Sequence, residues 1–96
     1  MDITKTKEGS TLTIAVSGRL DTLTSPQLEA ELQLTDVAQL VFDFDALDYI
    51  SSAGLRVLLG AQKTMMAHGE MKLKNVKPIV KEVFDMTGFS SFFTIV

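Results

Sequence analysis

Two adjacent hydroxyls and a glycine stand out as the residues of this chain whose types and spacing could do chemistry. They lie in Asp48-Tyr49-Ile50-Ser51-Ser52-Ala53-Gly54-Leu55-Arg56-Val57-Leu58-Leu59, where an apolar run turns into a helical pattern. The first backbone N–H groups of a helix lack partners inside it, and its N-terminal dipole favours negative charge. Serine is among the preferred caps for those groups. A phosphate placed there is electrostatically tolerated, and it brings roughly −1.5 to −2 charges to one spot of the surface. Spacing alone therefore leaves two readings of Ser51 and Ser52 open: a helix cap beside a solvated neighbour, or a reversible charge switch.

Other constellations fare less well. His68 is the one histidine. It falls at the far end of the helix that Gly54 opens, where its expected role is a solvated cap residue at the C-terminal dipole. About fourteen residues at about 1.5 Å each put it about 20 Å from the serines, outside the reach of a serine–histidine pair. Asp43, Asp45 and Asp48 cluster at a strand end, and hard cations take carboxylate oxygens. Their spacing matches no calcium loop, so a solvated loop is favoured. Gly54, Gly60 and Gly69 form no phosphate-cradling loop, and there is neither a Walker lysine nor a dinucleotide fingerprint. Met65, Met66, Phe84, Phe89, Phe92 and Phe93 read as core. No cofactor and no metal ligand set is indicated.

The elements that must position the serines follow from periodicity. Ile3 to Lys7 is an edge strand, turning at Glu8-Gly9-Ser10 into Thr11 to Ser17. That second strand carries Leu12, Ile14 and Val16 on one face. Gly18 to Leu23 is expected as a loop. Thr24-Ser25-Pro26 opens a helix running to about Gln33. Gln39 to Phe44 is dense enough in apolar residues for a central strand. Leu55, Leu58, Leu59, Met65 and Met66 stripe a long helix over Gly54 to His68, stopped at Gly69. Glu70 to Lys74 alternates as a strand, Pro78 to Met86 is a short helix ended by Thr87-Gly88, and Phe92 to Val96 is a last strand. The order β-β-α-β-α-β-α-β implies an α/β domain with right-handed crossovers and a mixed, mostly parallel sheet of about five strands.

Size and charge bound the rest. Ninety-six residues, 46% of them hydrophobic, make one domain with a single core. The net charge of −3 speaks against a nucleic acid or an anionic membrane as partner. The chain has no cysteine, which suits a reducing compartment. No apolar run approaches a membrane span, and the first residues do not form a signal peptide. The expected setting is the cytoplasm, and a monomer is the simplest state.

Four stretches, in order, resemble a known family. Val16-Ser17-Gly18-Arg19-Leu20-Asp21 resembles the early strand signature of STAS domains, in particular of the bacterial anti-sigma factor antagonists. Val41-Phe42-Asp43-Phe44 with Leu47-Asp48-Tyr49-Ile50 resembles their central strand and its approach to the switch. Ser51 to Leu59 resembles the switch, and Val80 to Phe89 the C-terminal helix with its glycine. The resemblance covers nearly the whole chain, residues 1–96. It implies a non-enzymatic binding protein. The unphosphorylated form would bind an anti-sigma factor, commonly a serine kinase, and free a sigma factor. Phosphorylation by that kinase would release it, and a serine phosphatase would reset it.

Aligned on Gly54, the implied phosphoacceptor is Ser52, with Ser51 as second choice. Ser51 stands where the family commonly has aspartate, and Ala53 where it has a second hydroxyl. The implied docking surface takes in Ser51, Ser52, Ala53, Gly54, Arg56 and Asp21, with Lys63 at its rim. A STAS scaffold without a phospho-switch, in a stress-sensing or a lipid or anion transport complex, is the alternative.

Overall fold

The computed structural model describes residues 1–96. Its order is β1 (Asp2–Glu8), β2 (Thr11–Leu20), α1 (Ser25–Glu29), β3 (Gln39–Asp43), β4 (Leu47–Ile50), α2 (Ser52–Met66), β5 (Glu70–Lys74), α3 (Pro78–Thr87) and β6 (Thr94–Ile95). β1 and β2 form the expected antiparallel hairpin, with Glu8 opposite Thr11 across the Gly9-Ser10 turn. Every other pairing is parallel, in the order β1-β2-β3-β5-β6 with β4 also on β2. The central place expected for Gln39 to Phe44 holds, since β3 lies between β2 and β5.

The sheet has six strands where the sequence pattern indicates about five. The additional one is β4. In it Leu47 and Ile50 are buried while Asp48 and Tyr49 are exposed, so the period of two that marks a strand is absent. The ten-residue β2 changes partner along its length, meeting β3 over Thr11 to Ala15 and β4 over Gly18 to Leu20. A bulge at Gly18/Arg19 marks the change, and Gly18 takes φ +84°, a conformation that glycine adopts without a Cβ penalty. Gly18 to Leu20 is therefore strand, not the expected loop.

One side of the sheet is closed by the core. Leu12, Ile14, Val16, Leu40, Phe42, Met71 and Leu73 are buried, with Leu55, Leu58, Ala61 and Met65 of α2 and Val80 and Phe84 of α3 in the same cluster. The intervening strand residues Thr13, Val41, Lys72 and Lys74 are half-buried. At about 25 cal/mol per Å² of apolar area this single layer is the main stabilising term. The expected stripe on α2 is corrected at two positions: Leu59 is half-buried and Met66 is exposed, while Val57 and Ala61 take the inner face. Phe92 is exposed too, whereas Phe93 is buried edge-on against Phe84 at 5.4 Å. The last strand shrinks to two residues.

Helix α1 stops at Glu29, short of the expected Gln33. Ala30 and Glu31 turn, and the irregular segment after them lets Leu34 and Val37 enter the core. At the end of α2 Gly69 is a close approach, not a left-handed cap. A Cβ there would stand 2.1 Å from the Ala38 carbonyl oxygen, which accepts the Glu70 N–H.

Candidate functional site

The junction of β4 and α2 sets the serines apart. Ser51 is the cap: it has extended backbone angles, and its Oγ accepts from the Gly54 N–H at 3.4 Å. Its own N–H donates to the Leu20 carbonyl at 2.9 Å, which ties the helix start to the end of β2. Ser51 is half-buried. Ser52 is the first helical residue, exposed, and its hydroxyl has no protein partner. Of the two serines, Ser51 does the capping, and the Ser52 hydroxyl is left without a protein partner.

Gly54 explains how closely the helix start can sit. A Cβ there would lie 2.8 Å from Ile50 Cγ1, 2.9 Å from Leu20 Cγ and 3.0 Å from the Leu20 oxygen. Glycine lets the first turn of α2 rest directly on the paired ends of β2 and β4. Ala53 is half-buried beside it.

The Asp21 loop lies against this junction, as expected. Asp21 faces its own loop and acts as its staple. Its Oδ1 accepts from the Leu23 N–H at 3.0 Å and the Thr24 N–H at 3.1 Å. The Thr24 hydroxyl accepts from the Asp21 N–H at 2.8 Å and donates to the Arg19 carbonyl at 2.7 Å. Thr24 stands at the N-cap of α1, and its hydroxyl is spent on the loop, so it makes no side-chain cap bond to that helix. The Thr24 backbone N–H above all holds the Asp21 carboxyl below its usual range. The Thr24 hydroxyl, the Leu23 N–H and the Arg19 charge act the same way against partial desolvation.

Two features of the surface escape a reading of the sequence. Arg19 stacks over the Tyr49 ring at 4.1 Å and pairs with Asp21 at 3.7 Å. Arg19 and Tyr49 are register partners of β2 and β4, so their contact becomes visible only once β4 is known to be a strand. Leu23 is 83% exposed on the Asp21 loop. Arg56 and Ala53 line a depression of about 280 Å³ with Thr22, Ser25 and Glu29. Lys63 does not belong here: it stands eleven residues beyond Ser52, about 16 Å along the helix.

The remaining candidates have structural partners. Asp43 accepts from Asn75 Nδ2 at 3.0 Å, the leading reason its carboxyl is held low, and Asp48 pairs with Lys77 at 2.7 Å. His68 is exposed, and its Nδ1 lies 3.1 Å from the Val37 carbonyl, which puts the ring proton on Nδ1. It borders the largest cavity, about 430 Å³, between α2 and the segment after α1. The fifteen-residue α2 separates it from Ser52. No helix is long and apolar enough to cross a membrane.

Fold and site together define a small α/β domain that presents an unengaged hydroxyl on the first turn of a central helix. The STAS domain family model matches residues 2–96, and the chain belongs to that family. BtrV of Bordetella bronchiseptica, which carries a provisional assignment as an anti-sigma factor antagonist, is 40% identical over 99 residues. The match spans 99% of this chain and 85% of that protein. The anti-sigma F factor antagonist of Paenibacillus polymyxa is 33% identical over 82 residues, 80% of this chain and 70% of its own length. Among solved structures, unphosphorylated SpoIIAA superposes with a TM-score of 0.84 at 23% identity, covering 99% of this chain and 88% of that one. An anti-sigma factor antagonist from Mycobacterium paratuberculosis gives 0.86 at 21% identity, covering 98% and 83%. These two share the fold.

Proposed function

We propose that this chain is an anti-sigma factor antagonist switched by phosphorylation of Ser52. The observation that carries the reading is the division of labour at the helix start: Ser51 caps, and Ser52 is exposed and unbonded. The names of the relatives at 40% and 33% identity support it. In the unmodified form the surface around Ser52, Ala53, Arg56 and the Asp21 loop binds an anti-sigma factor and frees a sigma factor. The exposed Leu23 and the stacked Arg19–Tyr49 pair supply contact area there.

The anti-sigma factor is itself the serine kinase. The Ser52 hydroxyl oxygen attacks the γ-phosphorus of ATP and a new O–P bond forms. The bond from that phosphorus to the β,γ-bridging oxygen breaks, ADP leaves, and the hydroxyl proton passes to a base of the kinase. The product carries about −1.5 to −2 extra charges at the docking surface, and the partner is lost through repulsion and desolvation. Ser51 is untouched, so the cap and the fold survive. A serine phosphatase reverses the step. The domain supplies no catalysis and acts as a cytoplasmic monomer without direct nucleic-acid contact.

Purified protein, the cognate kinase and ATP test this, with the modified residue mapped by mass spectrometry. Incorporation at Ser52, abolished by Ser52→Ala, is expected. Incorporation at Ser51 instead, or none at all, refutes the assignment.

A further inference from the structure

Charged side chains on the elements next to the start of α2 include Arg19 and Asp21 from the end of β2 and its loop, Glu29 from α1, Asp48 from β4, Lys77 from the start of α3, and Arg56 from α2 itself. Arg19 is held by Asp21 and by the Tyr49 ring, and Lys77 by Asp48. Arg56 is the cation of this group with no ion pair, no hydrogen bond and no aromatic partner. It shares the depression with Glu29 without bonding to it.

Its position is specific. Arg56 is four residues after Ser52 on the same helix, so the two β-carbons are neighbours on one face, about 5–6 Å apart. Helical side chains lean toward the N-terminus, which carries a long side chain at position 56 back over position 52. Negative charge N-terminal to positive at this spacing is the favourable order. Guanidinium also matches phosphate oxygens with two parallel N–H donors.

We propose that Arg56 is a phosphate-positioning residue: once Ser52 carries a phosphoryl group, the Arg56 guanidinium folds onto it and leaves the docking surface. Phosphorylation then alters the surface twice. It adds a dianion and withdraws the free cation that an acidic group of the partner would otherwise meet. The clamp rests on Ser52 being the modified residue, and it turns an added charge into an exchange of partners by Arg56.

The test does not need the kinase. Phosphoserine is incorporated at position 52 during translation, in the wild-type background and with Arg56→Ala or Arg56→Lys. The second ionisation of the phosphate is followed by phosphorus NMR in low salt. Its ordinary value is about 6, and the helix start acts on it equally in all three proteins. Loss of Arg56 is expected to raise it by about 0.2–0.4 of a unit, with Arg56→Lys between the two and the difference shrinking in about 1 M salt. Alanine favours helix, so the variant keeps its fold, as circular dichroism verifies. An upward move of less than about 0.1 of a unit, or a downward one, overturns the clamp. Failure of the kinase to modify Ser52 in the mapping experiment would instead overturn the acceptor assignment, and the two results are independent.

Discussion

Gly54 and Gly60 sit six residues apart on α2 and should respond oppositely to the same substitution. In Gly60→Ala the new methyl meets nothing within 4 Å. Only helix propensity acts, and it stabilises by about 0.5–1 kcal/mol. In Gly54→Ala the methyl lands at 2.8–3.0 Å from three atoms, Ile50 Cγ1, Leu20 Cγ and the Leu20 oxygen. Carbon contacts are comfortable at about 3.5–4.0 Å, so each neighbour must yield by about 0.5–1 Å. None can yield freely. Leu20 is 0% and Ile50 2% exposed, and the Leu20 oxygen holds the Ser51 N–H. Overpacking of a closed core costs about 1–3 kcal/mol, and the upper half of that range applies here. After the propensity gain, Gly54→Ala should destabilise by about 1–2 kcal/mol. For a domain of this size that is a melting temperature lower by about 4–16 °C, against a rise of a few degrees for Gly60→Ala. Urea unfolding and calorimetry on both variants read this directly. If Gly54→Ala proves as stable as wild type, the helix start does not rest on β2 and β4 as described, and the account of the site's placement fails.

The serines should separate in the same assays. Ser51→Ala removes the cap and should cost about 0.5–1 kcal/mol, while Ser52→Ala should stay within about 0.5 kcal/mol of wild type. Equal losses would contradict the division of roles. Acid should destabilise the fold through Asp21, Asp43 and Asp85, the last on α3 where it accepts from the Ser90 hydroxyl and pairs with Lys81, and all three carboxyls are held below the usual range. A depressed folded-state value means that stability is fully present above the ordinary carboxylate range and is lost as pH falls through the lowered values. Melting temperatures measured from pH 7 down to about 2 should be level and then fall below about 4, and Asp21→Asn should shrink that fall.

Much of this was legible in the residues, and the exceptions have physical causes. The hairpin, β3, β5 and the long helix follow from period and turn chemistry. β4 does not, because both its middle residues face solvent, and with β4 the Arg19–Tyr49 stack was hidden as well. The end of α1 is not legible in the sequence because the pull of Leu34 and Val37 into the core is a tertiary effect. Thr24 sits at the N-cap of α1 without capping it through its side chain, since its hydroxyl finds Arg19 and Asp21 first. At the start of α2, composition offers two serines. Only their hydrogen bonding and exposure assigned the capping role to one and left the other free.

That separation bears on how such a domain changes over generations. A hydroxyl that supports nothing in the fold can be exchanged without unfolding the protein. Under the phospho-switch proposed for Ser52, a single substitution at that position produces a copy that binds permanently, with its shape intact and its regulation gone. Had the cap and the free hydroxyl been one residue, losing the control would also have weakened the fold. Here drift can remove the control alone, and only selection on the regulated process keeps it in place.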